Sequence, residues 1–316
     1  MCAIPYVLEN SLLRVVIIPD YGGRITSLRS LRTGQEFILP SLREPLGDSA
    51  TMLFSEGHIG GFDECLPSVS PSSAIGDETK VPDHGDLWRK SWTVESSDDG
   101  LLLQVDAVSR PLRLTRHATL NDDTLLLAYE LSNLSDESVT WLWCAHPLLQ
   151  AEYGDRILLP QEITEVTVEY ASDERFIRHS NIAWPAARSA SVSEVDLGLL
   201  QEKTAGTAYK LFARSGTLGK AALYRSRIKQ GIAIHFHQAE LPFLGVWVNA
   251  GAWPETAPDR RLTVALEPAT SNFDSLSEAE HDGMANRLAA RARQNWTIAL
   301  QLLGAKEPCV LADLAF

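Results

Sequence analysis

Leu112-Arg-Leu-Thr-Arg-His-Ala-Thr-Leu120, Asn121-Asp-Asp123 and Thr124-Leu-Leu-Leu-Ala-Tyr-Glu-Leu-Ser-Asn133 follow one another without a break. In the first run Leu112 and Leu114 alternate with Arg113 and Thr115, the period of two that buries one face of a strand and leaves the other polar. Asn121-Asp-Asp123 has the residue types of a tight turn, and the run after it is again rich in leucine and aromatic residues. The stretch predicts an antiparallel hairpin.

The same signals recur on both sides of it. Upstream, 12–18, 24–31, 91–95 and 101–108 read as strands, with Ser97–Gly100 as another turn. Downstream, 139–149, 220–224, 231–237, 243–249, 262–266 and 296–303 continue the pattern. Strands at close spacing with turns between them predict an all-β sandwich or barrel. Ser275-Leu-Ser-Glu278 has the form of a capping box, and Ala285–Arg293 has helical composition, so a short helix is expected before the last strand. Gly47–Pro82 lacks periodicity and is rich in Gly, Pro and Ser, which predicts a long loop crossing the mouth of a sheet.

The chain has 316 residues, 45% of them hydrophobic, and no linker or repeat divides it. One domain over 1–316 is expected, since β-sandwiches can run to this size undivided. A formal net charge of -13 argues against nucleic acid and anionic membrane surfaces as partners. Cys2, Cys65, Cys144 and Cys309 form no Cys-x-x-Cys pair, and no basic, apolar leader or long apolar run is present. A reduced, cytoplasmic setting is the expectation.

Three motifs carry the chemistry: Asp83-His84-Gly85, Ala145-His146-Pro147 and Leu266-Glu267-Pro268. Two imidazoles and a carboxylate can move protons in both directions near neutral pH. His146 follows the apolar Trp141-Leu-Trp-Cys-Ala, where a buried core histidine is the plain alternative, but Pro147 should end regular pairing and leave it at a strand end. Glu267 closes an apolar strand, where desolvation suits a carboxylate to act as a base. Phe243, Gly245, Trp247 and Asn249 share one face of an alternating strand. An indole beside an amide is suited to a sugar, although a core Trp fits equally. His235-Phe-His237 could offer two metal ligands, but no third ligand has matching spacing, so no metal is expected. No P-loop, Gly-x-Gly-x-x-Gly or Gly-x-Ser-x-Gly is present, which leaves nucleotide and serine-hydrolase chemistry without support.

The order His-Gly, His-Pro, Glu-Pro resembles the aldose 1-epimerases, or galactose mutarotases, and Leu266-Glu-Pro-Ala-Thr270 with Asp274 is the most specific match. The resemblance implies a galactose-mutarotase-like antiparallel β-sandwich, a supersandwich with few short helices. It also implies interconversion of the α and β anomers of a free aldose, with no cofactor. By this resemblance Glu267 is the base, His146 the acid that protonates the ring oxygen, and His84 an assistant there. Arg89 and Trp92 follow His84 as they do in the family. The chain departs from galactose-specific members in two places: Pro147-Leu-Leu replaces Tyr-Phe-Asn, and Asp63-Glu64 stands where an Asn-Arg pair is usual. The family's substrate-orienting Asp in mid-chain has no clear match. The expected substrate contacts are Asp63, Glu64, Arg89, Trp247 and Asn249, and the expected partner is a monosaccharide, with a homodimer left open. The alternatives are a non-catalytic sugar-binding protein and a sugar-phosphate epimerase; the latter needs a basic cluster, for which Arg24, Arg89 and Arg178 are the candidates. A polysaccharide lyase or glycoside-processing enzyme ranks last.

Overall fold

The computed structural model describes residues 3–41, 53–56, 60–72, 80–172, 175–188, 194–216, 219–254 and 261–304. Among them two antiparallel sheets face each other. One has ten strands, in the order Tyr6–Glu9, Leu13–Ile18, Arg24–Ser30, Phe62–Cys65, Cys144–Gln150, Leu262–Ala269, Phe243–Ala250, Thr207–Arg214, Glu165–Ala171 and Asn181–Ala183. The other has eight, in the order Arg156–Leu158, Gly219–Arg225, Gln230–Phe236, Arg293–Leu303, Thr124–Asn133, Leu112–Asn121, Gly100–Asp106 and Thr93–Ser97. The expected hairpin is present, with Leu112 opposite Asn133 and Asn121 opposite Thr124. Its inward residues, among them Leu112, Leu114, Leu125, Leu127 and Leu131, meet Leu13, Val15, Ile17, Val246 and Leu266 of the larger sheet in one core. The fold is thus the sandwich and not the barrel.

Half of the capping box forms: the Ser275 side chain accepts from the Glu278 N–H at the start of helix Leu276–His281, while the Glu278 carboxylate accepts from Arg178. The helical composition of 285–293 does not carry through. Asn286–Leu288 instead pairs with Val139–Trp141 in a small separate sheet, and the last strand already begins at Arg293. That pairing also splits the apolar run 139–149, whose first part leaves for the small sheet while Cys144–Gln150 enters the large one.

The expected loop over Gly47–Pro82 is only partly within the described residues, and there it is corrected. Phe62–Cys65 is a strand in the middle of the ten-stranded sheet, between Arg24–Ser30 and Cys144–Gln150. Two adjacent carboxylates are costly in a buried strand. They are tolerated because arginines from elsewhere in the chain reach them. Glu64 points into the sandwich, where it accepts from Arg116 Nη1 at 2.9 Å and from the Tyr129 hydroxyl at 2.8 Å, both from the opposite sheet. Arg116 also donates to the Gly23 carbonyl and lies over the Trp92 ring at 5.0 Å. Asp63 accepts from Arg24 Nε at 2.7 Å. Burial nevertheless keeps both carboxyls above the usual range, against the pull of Arg24 on Asp63 and Arg116 on Glu64.

Candidate active site

Alternation along the central strands of the large sheet sends every second side chain away from the core. Cys144, His146 and Leu148, then Thr263, Ala265 and Glu267, then Gly245, Trp247 and Asn249, then Lys210 and Phe212 make one surface. A cavity of about 870 Å3 opens on this face. His84, His146 and Glu267 all line it, as do Trp247 and Asn249.

His146 and Glu267 are placed by their prolines, though not as strand ends. Cys144 pairs with Ala269 and Leu148 with Ala265, but no pairing joins the two strands between those points. Pro147 and Pro268 lie within this gap, and each lacks the N–H a ladder needs. Counting inward from the flanking pairs sets His146 opposite Glu267, where the ladder has opened. Asp63 is the partner of His146 on its other side.

His84 arrives from a turn. Its φ of 58° and that of Gly85 at 73° lie in the left-handed region. A Cβ on Gly85 would come within 2.2 Å of the Leu66 carbonyl oxygen, so only glycine fits beneath the histidine. Asp83 fixes the ring: its Oδ1 is 2.9 Å from His84 Nδ1, and its Oδ2 accepts from the Phe54 N–H at 2.6 Å. Burial would raise the Asp83 carboxyl, but the His84 and Phe54 contacts outweigh it and hold it below the usual range. Phe54 stacks on His84 at 4.0 Å and meets His146 edge-on at 5.1 Å, and the two imidazoles are 5.0 Å apart. Burial, with the charges of His84, Lys210 and Arg24, pushes His146 well below the ordinary imidazole range. It is therefore neutral at pH 7.

Glu267 is 0% exposed. Its Oε2 accepts from Lys210 Nζ and, at 3.2 Å, from the Cys144 thiol. Its Oε1 has no hydrogen-bond partner among the described residues. Lys210 Nζ is also 3.3 Å from Asp274 Oδ1. Burial works against the ammonium, but Asp274 and Glu267 outweigh it and hold Lys210 well above the usual lysine range. Cys65 and Cys144, register partners on adjacent strands, are free thiols that burial keeps protonated. Cys2 and Cys309 lie outside the described residues.

Three of the expected substrate contacts lie outside the cavity wall, and a fourth is in the wall with its amide engaged. Asp63 and Glu64 do not line the cavity and are held by the arginines described above. Arg89 is not in the wall either, and its guanidinium lies 5.3 Å from the Trp88 ring. Asn249 is in the wall, but its amide serves the following turn. Oδ1 accepts from the N–H groups of Gly251, Ala252 and Trp253, and Nδ2 donates to the Trp253 carbonyl at 2.6 Å. Trp247 stays available as a ring, 5.9 Å from Tyr170 and 6.0 Å from Trp253. Arg24, Arg89 and Arg178 do not gather into a phosphate site. Arg24 is bound to Asp63, and Arg178 bridges Glu169 and Glu278 at 2.6 Å each.

Glu169, His179 and Glu278 bring ligand atoms within 4.8 Å of one another at the cavity rim. Arg178 already occupies both carboxylates, which makes this an ion-pair cluster in character. His235 is remote from the cavity and hydrogen-bonds Gln301 at 3.2 Å on the smaller sheet. Sequence reasoning missed Lys210 and Phe54. Lys210 had a signal, the Tyr209-Lys-Leu-Phe212 run between Gly206 and Gly216, which reads as a strand carrying one charge among apolar residues.

No protein-family model matches the chain, and no curated protein matches it in sequence. Solved structures do match it. Slr1438 protein from Synechocystis sp. PCC 6803 is 15% identical over 96% of both chains, with a TM-score of 0.70. The galactose mutarotase related enzyme from Lactobacillus acidophilus is 17% identical over 96% of this chain and 99% of its own, with a TM-score of 0.69. A galactose mutarotase-like protein from Lactobacillus casei is 16% identical over 95% and 100%, with a TM-score of 0.65. No helix among the described residues is long and apolar enough to cross a membrane. At these identities the likeness is one of architecture, and the chain has the galactose-mutarotase-like fold.

Proposed function

We propose that the protein is an aldose 1-epimerase, catalysing exchange of the α and β anomers of a free aldose. The observation that carries this is the convergence of Glu267, His146 and His84 on one cavity wall, with Trp247 beside them as a ring face for sugar C–H groups. Glu267 takes the proton of the anomeric hydroxyl. The C1=O bond forms as the C1–O5 bond breaks, and an imidazole gives a proton to O5. The C1–C2 bond rotates, and the reverse transfers close the ring on the other face, returning both protons. The acid was expected to be His146. His84, whose Nδ1 is held by Asp83, stands beside it as the second imidazole at this oxygen, and burial holds His146 below the ordinary imidazole range. General acid–base catalysis of this kind contributes about 10²–10⁴-fold.

The second reading is a sugar-binding protein that lacks turnover. The Lys210–Glu267 ion pair favours it, because a buried carboxylate that compensates a buried lysine has a structural reason to be there without turnover. Saturation-transfer NMR or polarimetry on freshly dissolved aldoses separates the two. Acceleration of exchange by the wild-type protein supports the enzyme. Binding without acceleration on any free aldose or aldose phosphate supports the binding protein.

A further inference from the structure

We infer that Lys210 and Gly245 form a positioning device for Glu267: the lysine reaches across an intervening strand, through the gap the glycine leaves, and pins one carboxylate oxygen so that the other is the one left to act. This rests on the proposed epimerase reading.

Lys210 and Glu267 are not neighbours in the sheet. Thr207–Arg214 pairs with Phe243–Ala250, which pairs in turn with Leu262–Ala269. Two strands on is about 10 Å at the usual spacing, so the lysine has to lie across the middle strand to make contact. Directly opposite Glu267 on that strand is Gly245. A Cβ built there would sit 3.0 Å from Lys210 Cε, 3.2 Å from Glu267 Cβ and 3.3 Å from Glu267 Oε2. Any side chain at 245 would therefore press on the lysine stem and the carboxylate together.

The contact is specific in its geometry. Lys210 Nζ and the Cys144 thiol both meet Oε2, while Oε1 has no hydrogen-bond partner among the described residues. The second carboxylate at the ammonium, Asp274, holds the lysine from the far side at 3.3 Å. The titratable groups facing Glu267 are Lys210, Asp274, Cys144 and Cys65, with His146 opposite it across the opened ladder. Lys210 is the cation among them that makes contact with the carboxylate. A lysine that merely balanced buried charge would need no such aim. One that fixes a base leaves the base a single usable oxygen and a single orientation, and misplacement by about 1 Å can cost on the order of 10²-fold in rate.

The test compares wild type with Gly245→Ala, Lys210→Met and Lys210→Arg, reading kcat, KM and the pH profile of anomer exchange. Gly245→Ala keeps every charge and should lower kcat with KM little changed. Lys210→Met should lower kcat on the order of 10²-fold. Loss of the cation should also move the acid limb of its profile to higher pH. Lys210→Arg, which keeps the cation, should recover part of kcat and the original limb. Lys210→Met leaves two buried carboxylates uncompensated and can fail to fold, in which case Gly245→Ala and Lys210→Arg decide. Unchanged kcat and limb in Gly245→Ala and Lys210→Met overturns the device, as does a loss confined to KM. If the wild type turns over no aldose, the epimerase reading falls separately. Crystal structures of Gly245→Ala and Lys210→Arg then read the positioning directly: a displaced Glu267 carboxylate in Gly245→Ala supports it, and an unmoved one overturns it.

Discussion

Replacing Glu267 with glutamine alters one end of one side chain, and the surroundings decide which end. Lys210 has only donors to offer, so the glutamine must turn its carbonyl oxygen toward the ammonium, where Oε2 stood. Its NH2 then occupies the place of Oε1, the oxygen that has no partner among the described residues. A donor stands where the proton acceptor was. The rate of anomer exchange should fall by about 10²–10⁴-fold, which is about 2.7–5.4 kcal/mol at 1.36 kcal/mol per decade. Stability should fall by less, because Lys210 keeps Asp274 at 3.3 Å; loss of one charge-assisted hydrogen bond costs about 1.5–3 kcal/mol. The assay is saturation-transfer NMR on an aldose panel, with urea unfolding and sugar binding measured on the same preparations. His146→Asn should cost a similar factor, and the double variant should be little worse than either, since both groups act on one transition state. Wild-type exchange rates surviving in Glu267→Gln would show that another group is the base.

Three further outcomes concern the fold around the cavity. Arg116→Met strands Glu64 inside the sandwich and should cost about 3–5 kcal/mol by urea unfolding, with part recovered in Arg116→Met/Glu64→Gln; a loss under about 1 kcal/mol would contradict the role given to this pair. His146, neutral in the native state but titrating near pH 6.5 when unfolded, binds fewer protons folded than unfolded below that pH. Wild-type stability relative to His146→Asn should therefore be retained above about pH 6.5 and fall below it, by up to about 1.36 kcal/mol per pH unit; a flat difference from pH 7 to 5 would mean the ring is not kept neutral. Glu169 has the opposite sign, because burial and then the Asp274 charge push it up to about 7. Its contribution relative to Glu169→Gln should be full below about pH 4.5 and lost as pH rises through about 7; the reverse slope would mean that Arg178 dominates it.

The sheets were legible because their cores are built from local alternation. The hairpin 112–133 carries its period, its turn and its register in one continuous stretch. The three residues proposed to carry the chemistry each sit next to a glycine or proline that the backbone needs at that point: Gly85 under His84, Pro147 and Pro268 where the ladder opens. What failed to read was every feature whose reason lies far away in sequence. Phe62–Cys65 reads as loop because the stretch 47–82 lacks periodicity, and its two adjacent carboxylates can be buried only with partners from elsewhere in the chain. Arg24 and Arg116, which give them that place, are 39 and 52 residues distant. The same separation bears on Asp63 and Glu64, which read as sugar acceptors while their arginines were unknown; Asn249 differs, because the turn that takes its amide is only two to four residues on.

A charge at a buried position of a strand joins these cases. Arg24, Glu64, Arg116, Lys210 and Glu267 each occupy such a position, and each is at most 4% exposed. A buried charge without a partner is too costly to persist, so each one in the sequence announces a second charge on another strand. Arg24–Asp63 and Arg116–Glu64 close as simple pairs, and Tyr129 completes the latter. Lys210, Glu267 and Asp274 close differently, as one cation between two carboxylates, so this cluster carries an excess negative charge under the cavity floor. Structure alone gives no reason for that excess, since a single pair would have satisfied the lysine. A carboxylate with one oxygen pinned and one unpledged is what proton transfer requires, and the surplus charge sits where the proposed chemistry would use it.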